Sequence, residues 1–466
     1  MTRMILFSMA SSRFSRPRRA IAVACFSAVA TAGGACVKTP DEILSVTDPD
    51  IINPGDVQSP AGANAVRLGA LARLNAATSG GEGLFLLGGL LGDEWRSGDT
   101  FIARDEVDQR RITRENTFLT TANRLVHRAR LSGEQAVQLL QQYNATAPGW
   151  QSAEMYFVQA YTENLIAEHY CSGVIFSTVV DGVEQYGSPV TTTAALERAL
   201  SHADSGLRLI TGATADDIRV RNALQVTRGR ILLNSNRVAD ASAAVTGVPT
   251  TFRYIMLQSQ TTNDNATWSL NNNARRYTVS AGEGANGPNY AAAGDPRVPT
   301  CAGGSAACIA AGVTQPRVFD NTTFPFHVQL LWPTRESPVT IVSGVEARLI
   351  EAEAQLRGAN AGGALATLNT LRGTVTGLVP LADAGTDVAR VNQLFRERAF
   401  WLFGRGHRLG DMRRLIRQYG RDQSTVFPTG AFHKGGNYGA DVNFPIPQAE
   451  DNNPNATGGS CIDRNA

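Results

Sequence analysis

The chain has 466 residues, with 43 Lys and Arg against 41 Asp and Glu, which gives a formal net charge of +2 at pH 7. Acidic and basic residues are interleaved, and no long Lys/Arg run follows the first 35 residues, which argues against a nucleic-acid-binding surface. The length suffices for two or three average domains, or for one large helical domain with long insertions.

The N-terminal segment has the pattern of a signal peptide. Basic residues occur at Arg13, Arg16, Arg18 and Arg19, and residues 20–32 are apolar or small. This apolar run of about a dozen residues is short of the roughly twenty that span a bilayer. Residues 1–35 are therefore predicted to be a cleaved signal peptide and not a membrane anchor.

Cys36 ends a small-residue site, Gly33-Gly34-Ala35-Cys36, that resembles a bacterial lipobox, although Gly33 stands where leucine is usual. Cys25 is a second cysteine in the segment, but too short an apolar core precedes it. We expect lipidation at Cys36, with ordinary secretion as the alternative. Acyl chains, at about 0.8 kcal/mol per buried methylene, would hold the protein on a membrane surface. Residues 36–55 are interpreted as an extended tether.

Four cysteines follow the lipidation site, and export to an oxidising compartment favours disulfides. Three connectivities are possible. Cys301 and Cys308 enclose a Gly/Ala loop and form the preferred pair, which leaves Cys171 and Cys461 as the second. A zinc site is the alternative, but this spacing without neighbouring His/Cys pairs fits zinc poorly.

Helical periodicity dominates the rest of the chain. Phe157, Ala160, Tyr161 and Leu165 place one apolar stripe on a helix over residues 151–170. Stripes over 220–231 and 238–245 predict a helical hairpin, and stripes over 345–356 and 364–371 predict another. Both hairpins carry a small alanine after the turn and resemble tetratricopeptide units, although they are not tandem.

Residues 247–338 lie between these hairpins and are rich in Asn, Gly, Pro, Thr and scattered aromatics. Weak period-two alternation predicts an irregular insertion with a few strands. Long irregular segments in compact proteins are usually functional or disordered. The disulfide and the aromatic residues favour the ordered alternative; the aromatics are Phe252, Tyr254, Trp268, Tyr277, Tyr290, Phe319 and Trp332.

Enzyme signatures are absent from the sequence: there is no HExxH, GxSxG or GxxxxGK[ST] motif. Gly282, Gly284 and Gly287 spell GxGxxG, but Pro288 follows where a helix should begin, so a loop is predicted. The neighbouring carboxylates Asp93 and Glu94 do not face each other on regular secondary structure. We predict a protein without catalytic residues, cofactor or metal.

The densest segment, residues 394–419, carries a recognisable signature. An ion-pair network is predicted there, with Glu397 and Asp411 against Arg396, Arg408, Arg413 and Arg414. The same segment resembles the E-x-AF…GHR…D-x-RR signature of the SusD/RagB family of outer-membrane nutrient-binding lipoproteins, through Glu397, Ala399-Phe400, Gly406-His407-Arg408, Asp411 and Arg413-Arg414.

Three further segments agree with this resemblance: residues 349–373, Asp295-Pro296-Arg297, and Phe444-Pro445-Ile446-Pro447. Arg405 stands where common members carry glutamate, so its partner in the ion network is expected to differ.

The resemblance implies a mainly α fold. Tetratricopeptide-like hairpins would form a single SusD-like domain over residues 56–466, with long irregular insertions and a few short strands. It also implies a lipid-anchored protein on the outer membrane, facing the cell exterior. Such a protein captures an oligosaccharide, or another oligomeric nutrient, for a SusC-like TonB-dependent barrel.

Sugar binding needs aromatic planes for C–H faces and polar groups for hydroxyls. Candidates in the loop over residues 92–100 are Trp95, Arg96 and Asp99, and candidates in the insertion are Trp268, Asn271, Tyr277 and Tyr290. We expect at least one aromatic residue of the insertion to form the platform. A lipid-anchored helical-repeat scaffold that binds only another protein is the alternative function.

Overall fold

The computed structural model describes residues 57–466 apart from 181–182, 322–324 and 457–460. The predicted signal peptide, Cys36 and the tether fall outside these residues. Within the described part of the chain, no helix has both the length and the apolar character that a membrane span requires.

Helices are the main regular secondary structure of the described residues. Those of the first half are α1 Pro60–Thr78, α2 Leu84–Leu91, α3 Ile102–Asp108, α4 Thr117–Tyr143, α5 Gly149–His169, α6 Thr192–Leu209, α7 Ala215–Asn234 and α8 Val238–Ala244. Those of the second half are α9 Ala306–Ala310, α10 Gly344–Arg357, α11 Ala361–Arg372, α12 Asp387–Trp401, α13 Arg408–Tyr419 and α14 Gln423–Val426. A π-helix spans Trp268–Asn273, and a 3₁₀ helix spans Gln448–Asn452.

Strands are short and pair two by two, always antiparallel. They are β1 Trp95–Ser97, β2 Val174–Ile175, β3 Thr178–Val180, β4 Val183–Gln185, β5 Pro189–Val190, β6 Arg253–Met256, β7 Tyr277–Val279, β8 Thr300–Ala302, β9 His327–Gln329 and β10 Val339–Ser343. The pairs are β1 with β7, β2 with β5, β3 with β4, β6 with β10 and β8 with β9. In the first pair, Trp95 lies opposite Val279 and Ser97 opposite Tyr277.

The predicted helical hairpins are present. Helices α7 and α8 form one hairpin and α10 and α11 form the other, and α10 packs against both α7 and α8. The two hairpins are therefore neighbours in space although the insertion separates them in sequence. Gly229 permits this approach, since a Cβ there would lie 2.6 Å from Val245 and 3.1 Å from Ile350. The mainly α, tetratricopeptide-like fold class is confirmed.

Side-chain caps fix several helix starts. Ser59 caps α1 just before Pro60, and Thr214 and Asp217 form a reciprocal capping box at α7. Ser343 caps α10 by accepting a hydrogen bond from the Glu346 N–H. Each cap satisfies a backbone donor that the first helical turn leaves free.

Both predicted disulfides are present. Cys301 and Cys308 are seven residues apart and close the Gly/Ala loop. Cys171 and Cys461 are 290 residues apart and join the segment after α5 to the C-terminal segment. Backbone bonds reinforce that junction, because Ile462 N–H donates to Ser172 O at 2.7 Å.

The signature segment forms helices α12 and α13 with a tight turn between them. Gly404 and Gly406 have φ of +68° and +70° in this turn, a conformation that L side chains rarely adopt. A Cβ at Gly406 would also lie 2.5 Å from the Phe85 ring. Glycine is therefore required at Gly406 both by the backbone conformation and by the contact with α2.

The ion pairs of this segment differ from the predicted network. Asp411 accepts from Arg414, as predicted, but its second partner is Arg398. Glu397 instead forms ion pairs with Arg297, at 2.6 Å, and with Arg372, at 2.7 Å.

The other predicted arginines have different partners again. Arg408 donates to both oxygens of Asp93, at 2.7 and 2.6 Å. Arg413 donates to the carbonyl oxygens of Ala167, Glu168 and Tyr170. The prediction was wrong here because these partners belong to elements that are remote in sequence.

Arg405 and Arg396 complete the segment. Arg405, which replaces the usual glutamate, donates to the Trp401 carbonyl at 3.0 Å. Arg396 is exposed, and its guanidinium lies over the Phe400 ring. The prediction of an ion pair for Arg396 is wrong.

Replacement of Asp411 by Asn should destabilise the fold strongly. Burial alone would raise the pKa of Asp411, but the guanidiniums of Arg398 and Arg414 outweigh it and hold the pKa below its usual range. Loss of this carboxylate removes the bidentate partner of the buried Arg398, whereas Arg414 keeps Glu353, so we expect the free energy of unfolding to fall by about 3–5 kcal/mol. Urea denaturation measures the change.

Asp387→Asn is the control. It removes a carboxylate that is 93% exposed and pairs with Arg390 one helical turn away. A change of less than about 0.5 kcal/mol is expected for the control. Equal effects of the two substitutions would contradict the importance of the buried pair.

Candidate functional site

The aromatic residues predicted to contact a ligand lie mostly inside the protein. Trp95, Tyr277 and Tyr290 are fully buried in the main hydrophobic core. The ring centroids of Trp95 and Tyr290 lie 5.0 and 4.9 Å from that of Phe403, on the turn between α12 and α13. None of these three candidates has a ring face open to solvent, so the expectation of an aromatic platform in the insertion rests on Trp268.

The polar candidates are also engaged within the fold. Asn271 is buried and bridges three segments, donating to the carbonyls of Tyr277 and His327 and accepting from Gln329 N–H. Arg96 is half-buried and pairs with Glu283. Trp268 lies at the start of the π-helix and is half-buried, so it is partly accessible to a ligand. Its role in binding stays a prediction.

Asp99 is the centre of a different arrangement. Its buried carboxylate pairs with both Arg104 and Arg276. The Arg276 guanidinium carbon lies 5.1 Å from the Phe101 ring centroid and 4.2 Å from that of Phe319. These are cation–π distances. Asp99 therefore positions two aromatic rings through one arginine.

We call the surface formed by Phe101, Ile102, Phe319 and Arg276 the aromatic rim. The apolar side chains are 50%, 74% and 39% exposed respectively. Among the described residues, the exposed aromatic side chains are Phe101, Phe319 and Tyr186. Two of these three therefore lie at the rim. Exposed apolar side chains grouped around a charged group are typical of binding surfaces.

Gly98 brings the parts of the rim together. Its N–H donates to Arg276 O at 2.9 Å, and its carbonyl accepts from Asp320 N–H at 3.0 Å. A Cβ at this position would lie 2.5 Å from that of Val318. Because glycine has no Cβ, the loop after β1 can approach segment 318–320 and hold Phe319 beside Arg276.

A small second core supports the same segment. It consists of Cys301, Cys308, Val313, Val318, Phe326 and Val328. The Cys301–Cys308 disulfide is part of it, and Val318 precedes Phe319 directly. This second core therefore supports the segment that carries Phe319, in addition to the contacts with Gly98 and Arg276.

Asp108, Glu283 and His433 lie beside β1, with one ligand-type atom of each within 4.8 Å of the others. They are the described residues that could hold a metal ion. Burial raises the pKa of Asp108 and lowers that of His433 to about 4. Two of the three side chains already have partners in the protein. Glu283 forms an ion pair with Arg96, and Asp108 accepts a hydrogen bond from Ser97 N–H at 2.7 Å. We interpret the cluster as a support for β1.

Glu94 lies next to Trp95 in the main core. Burial raises the pKa of Glu94 to about 8, although its carboxylate accepts a hydrogen bond from Gly404 N–H at 2.8 Å. Arg408, which is near, is already paired with Asp93. Glu94 is therefore largely protonated at neutral pH and contributes no charge to the core.

A groove beside α1, α5 and β6 is a second candidate surface, with a volume of about 590 Å³. It contains Trp150, the exposed leucines Leu68 and Leu257, and polar groups. The guanidiniums of Arg67 and Arg219 lie over the Trp150 ring at 5.1 and 5.8 Å. The Trp150 ring is only half-buried, whereas Phe101 and Phe319 are both exposed, so the rim offers more free aromatic surface.

Sequence reasoning missed Phe101 and Arg276 and counted Phe319 only among the scattered aromatics. A usable signal existed for Phe101, which follows the predicted loop directly and begins an apolar pair just before a charged helix. No local pattern indicates that Arg276 and Phe319 meet it.

Comparisons with solved structures identify the fold. Surface glycan-binding protein A from Bacteroides thetaiotaomicron is 12% identical with a TM-score of 0.63, covering 88% of this chain and 100% of its own. A SusD superfamily protein from Parabacteroides distasonis is 13% identical with a TM-score of 0.62, covering 85% and 98%. A SusD-like carbohydrate binding protein from Bacteroides vulgatus is 13% identical with a TM-score of 0.54, covering 76% and 83%.

These likenesses show that the chain has the SusD fold, as the resemblance in the signature segment predicts. No protein-family model matches the sequence, and none of the curated proteins matches it significantly. The likeness therefore lies in the structure and in a few motif residues.

Replacement of Glu94 by Gln should change how stability depends on pH. The pKa of Glu94 is about 8 in the folded state and lower in the unfolded state. The protonated side chain therefore contributes stability at low pH, and this contribution is lost as the pH rises towards 8. Glutamine has nearly the same shape as glutamate but has no carboxyl group that titrates. We expect the stability of the variant relative to wild type to increase by roughly 3 kcal/mol between pH 5 and 8. Urea unfolding at both pH values tests this, and parallel pH profiles would contradict it.

Removal of the Cys301–Cys308 disulfide should loosen the support of the rim. A loop this short is expected to contribute roughly 2–3 kcal/mol through chain entropy. In a Cys301→Ser/Cys308→Ser variant, amide hydrogen exchange should accelerate in residues 300–328. Exchange in α5 and α7 is the internal control and should stay unchanged, because those helices belong to the other core. Equal acceleration throughout would contradict an independent second core.

Proposed function

We propose that this chain is a carbohydrate-binding protein of the cell surface that captures oligosaccharide without cleaving it. The aromatic rim is the observation that carries the proposal. Exposed ring faces of Phe101 and Phe319 suit the C–H faces of pyranose rings, and Arg276 supplies donors for hydroxyl groups. Two structures of the same fold are described as glycan- or carbohydrate-binding proteins, which supports this choice of ligand.

The setting of the proposed function comes from the sequence. The signal-peptide pattern and the cysteine at position 36 support a lipid anchor on the outer membrane. An anchored binding protein of this fold would deliver its ligand to a TonB-dependent barrel of the SusC type. Co-purification of such a barrel with the full-length protein tests the partner separately from the ligand.

A protein-binding scaffold is the second candidate function. The groove beside α1 and α5 favours it, because Leu68 and Leu257 expose apolar side chains at its edge. Leu257→Asp should abolish co-purification of the partner if the groove is the contact, while glycan binding stays unchanged. Loss of glycan binding in the same variant would assign the groove to the sugar instead.

Phe101→Ala and Phe319→Ala should each weaken oligosaccharide binding. Removal of one stacking ring is expected to lower affinity five- to tenfold, equivalent to roughly 1–1.4 kcal/mol. Isothermal titration against a panel of neutral and acidic oligosaccharides, with the full-length protein, measures the change. The panel first identifies which glycans bind to wild type.

Tyr186→Ala is the matched control, since it removes another exposed aromatic ring that lies outside the rim. Unchanged affinity in both Phe variants would remove the rim from the binding site. Absence of binding to every glycan of the panel would reject the proposed function itself.

A further inference from the structure

A second concave site lies between segment 286–289 and helices α12, α13 and α14. Its volume is about 550 Å³, within the range of small-molecule sites, about 300–1,000 Å³. We call it the arginine cleft. The residues that line it are Asn286, Gly287, Pro288, Asn289, Asn392, Phe395, Arg396, Arg408, Leu415, Arg421, Thr425 and Val426. It shares no residue with the aromatic rim.

The charge of this cleft is one-sided. Three arginines line it, and the described lining residues include no Asp or Glu. Arg408 is neutralised by its bidentate pair with Asp93. Arg396 and Arg421 are not neutralised, so the cleft carries two guanidinium charges without a carboxylate in its lining.

The contacts of these two arginines are with uncharged groups. The Arg396 guanidinium carbon lies 4.8 Å from the Phe400 ring centroid. Arg421 donates to the Val388 carbonyl at 3.1 Å and to the Asn392 amide oxygen at 3.2 Å, while its Nε is buried without a hydrogen-bond partner.

The carboxylates that directly follow Arg396 and Arg421 in the sequence, Glu397 and Asp422, have other partners. Glu397 pairs with Arg297 and Arg372. Asp422 caps α14, where its carboxylate accepts from Ser424 N–H at 2.7 Å. Asp387, on the same helix as Arg396, pairs with Arg390. Arg390, on the same helix, is therefore paired with carboxylates, whereas Arg396 has no carboxylate partner among the described residues.

Neutral groups complete the site. Asn289 accepts from Ala292 N–H through its side-chain oxygen, so its amide donors remain for a ligand. Phe395, Leu415 and Val426 provide apolar surface. Guanidinium groups pair with carboxylates and sulfates in bidentate geometry, and amides bind hydroxyls.

Resting on the proposed function, we infer that the arginine cleft binds a sugar unit that carries an anionic substituent, a uronate carboxylate or a sulfate ester. Arg396 and Arg421 hold the anion, and Asn289 binds a hydroxyl group of the same unit. The cleft therefore selects acidic over neutral oligosaccharides.

The test titrates the full-length protein with oligogalacturonate, with a sulfated galactan oligosaccharide and with a neutral gluco-oligosaccharide of equal length. Binding of one acidic ligand, or of both, is expected, and comparison of the two distinguishes carboxylate from sulfate. Arg396→Gln and Arg421→Gln should each weaken acidic binding at least tenfold and leave neutral binding unchanged. The affinity for the acidic ligand should also fall with added salt.

Arg390→Gln is the control, with the same loss of charge on the same helix but outside the cleft, and its affinity should equal that of wild type. Arg396 is exposed, so its variant keeps the test valid even if the Arg421 variant folds poorly. Unchanged acidic binding in the Arg396 variant, or binding of neutral ligands alone, would overturn the inference while the proposed function stands. Failure of every ligand to bind would reject both.

Discussion

Guanidinium groups buried between helices must meet acceptors, because an unpaired buried cation costs several kcal/mol. This constraint organises the structure around α12 and α13. Arg408 requires Asp93 from the segment before β1, Arg414 requires Glu353 from α10, and Arg413 requires three carbonyl oxygens at the end of α5. Each requirement joins elements that are distant in sequence, so the position of each helix fixes those of the others.

The aromatic rim follows from the same constraint at the surface. Asp99 is buried and attracts two arginines, and Arg276 then lies between two phenylalanine rings. The carboxylate itself is fully buried and is occupied by the two arginines. It determines where the exposed rings stand, so a buried charge sets the geometry of an exposed apolar surface.

Local patterns in the sequence were sufficient for the frame. The apolar stripes of α5, α7 and α10 predict their faces, because helical periodicity needs only neighbouring residues. Ion-pair partners and the rim could not be predicted in this way. Asp93 and Arg408 meet across 315 residues, and Arg276 and Asp99 across 177, so their proximity depends on the completed fold.

The same limit explains why buried aromatic residues were among the ligand candidates. Trp95 and Tyr290 have the composition of a sugar platform, and a core tryptophan looks identical to an exposed one in sequence. Burial against Phe403, on a turn more than a hundred residues further on, decides the difference.

The junction of Cys171 with Cys461 has a consequence for biogenesis. The backbone after α5 pairs with Phe444, and the final residues close a ring over almost two thirds of the chain. Because a polypeptide is synthesised from its amino end, this junction cannot form until Cys461 has been made. Until then, the segment after α5 lacks both its disulfide partner and the hydrogen bond that Ile462 N–H donates to Ser172 O.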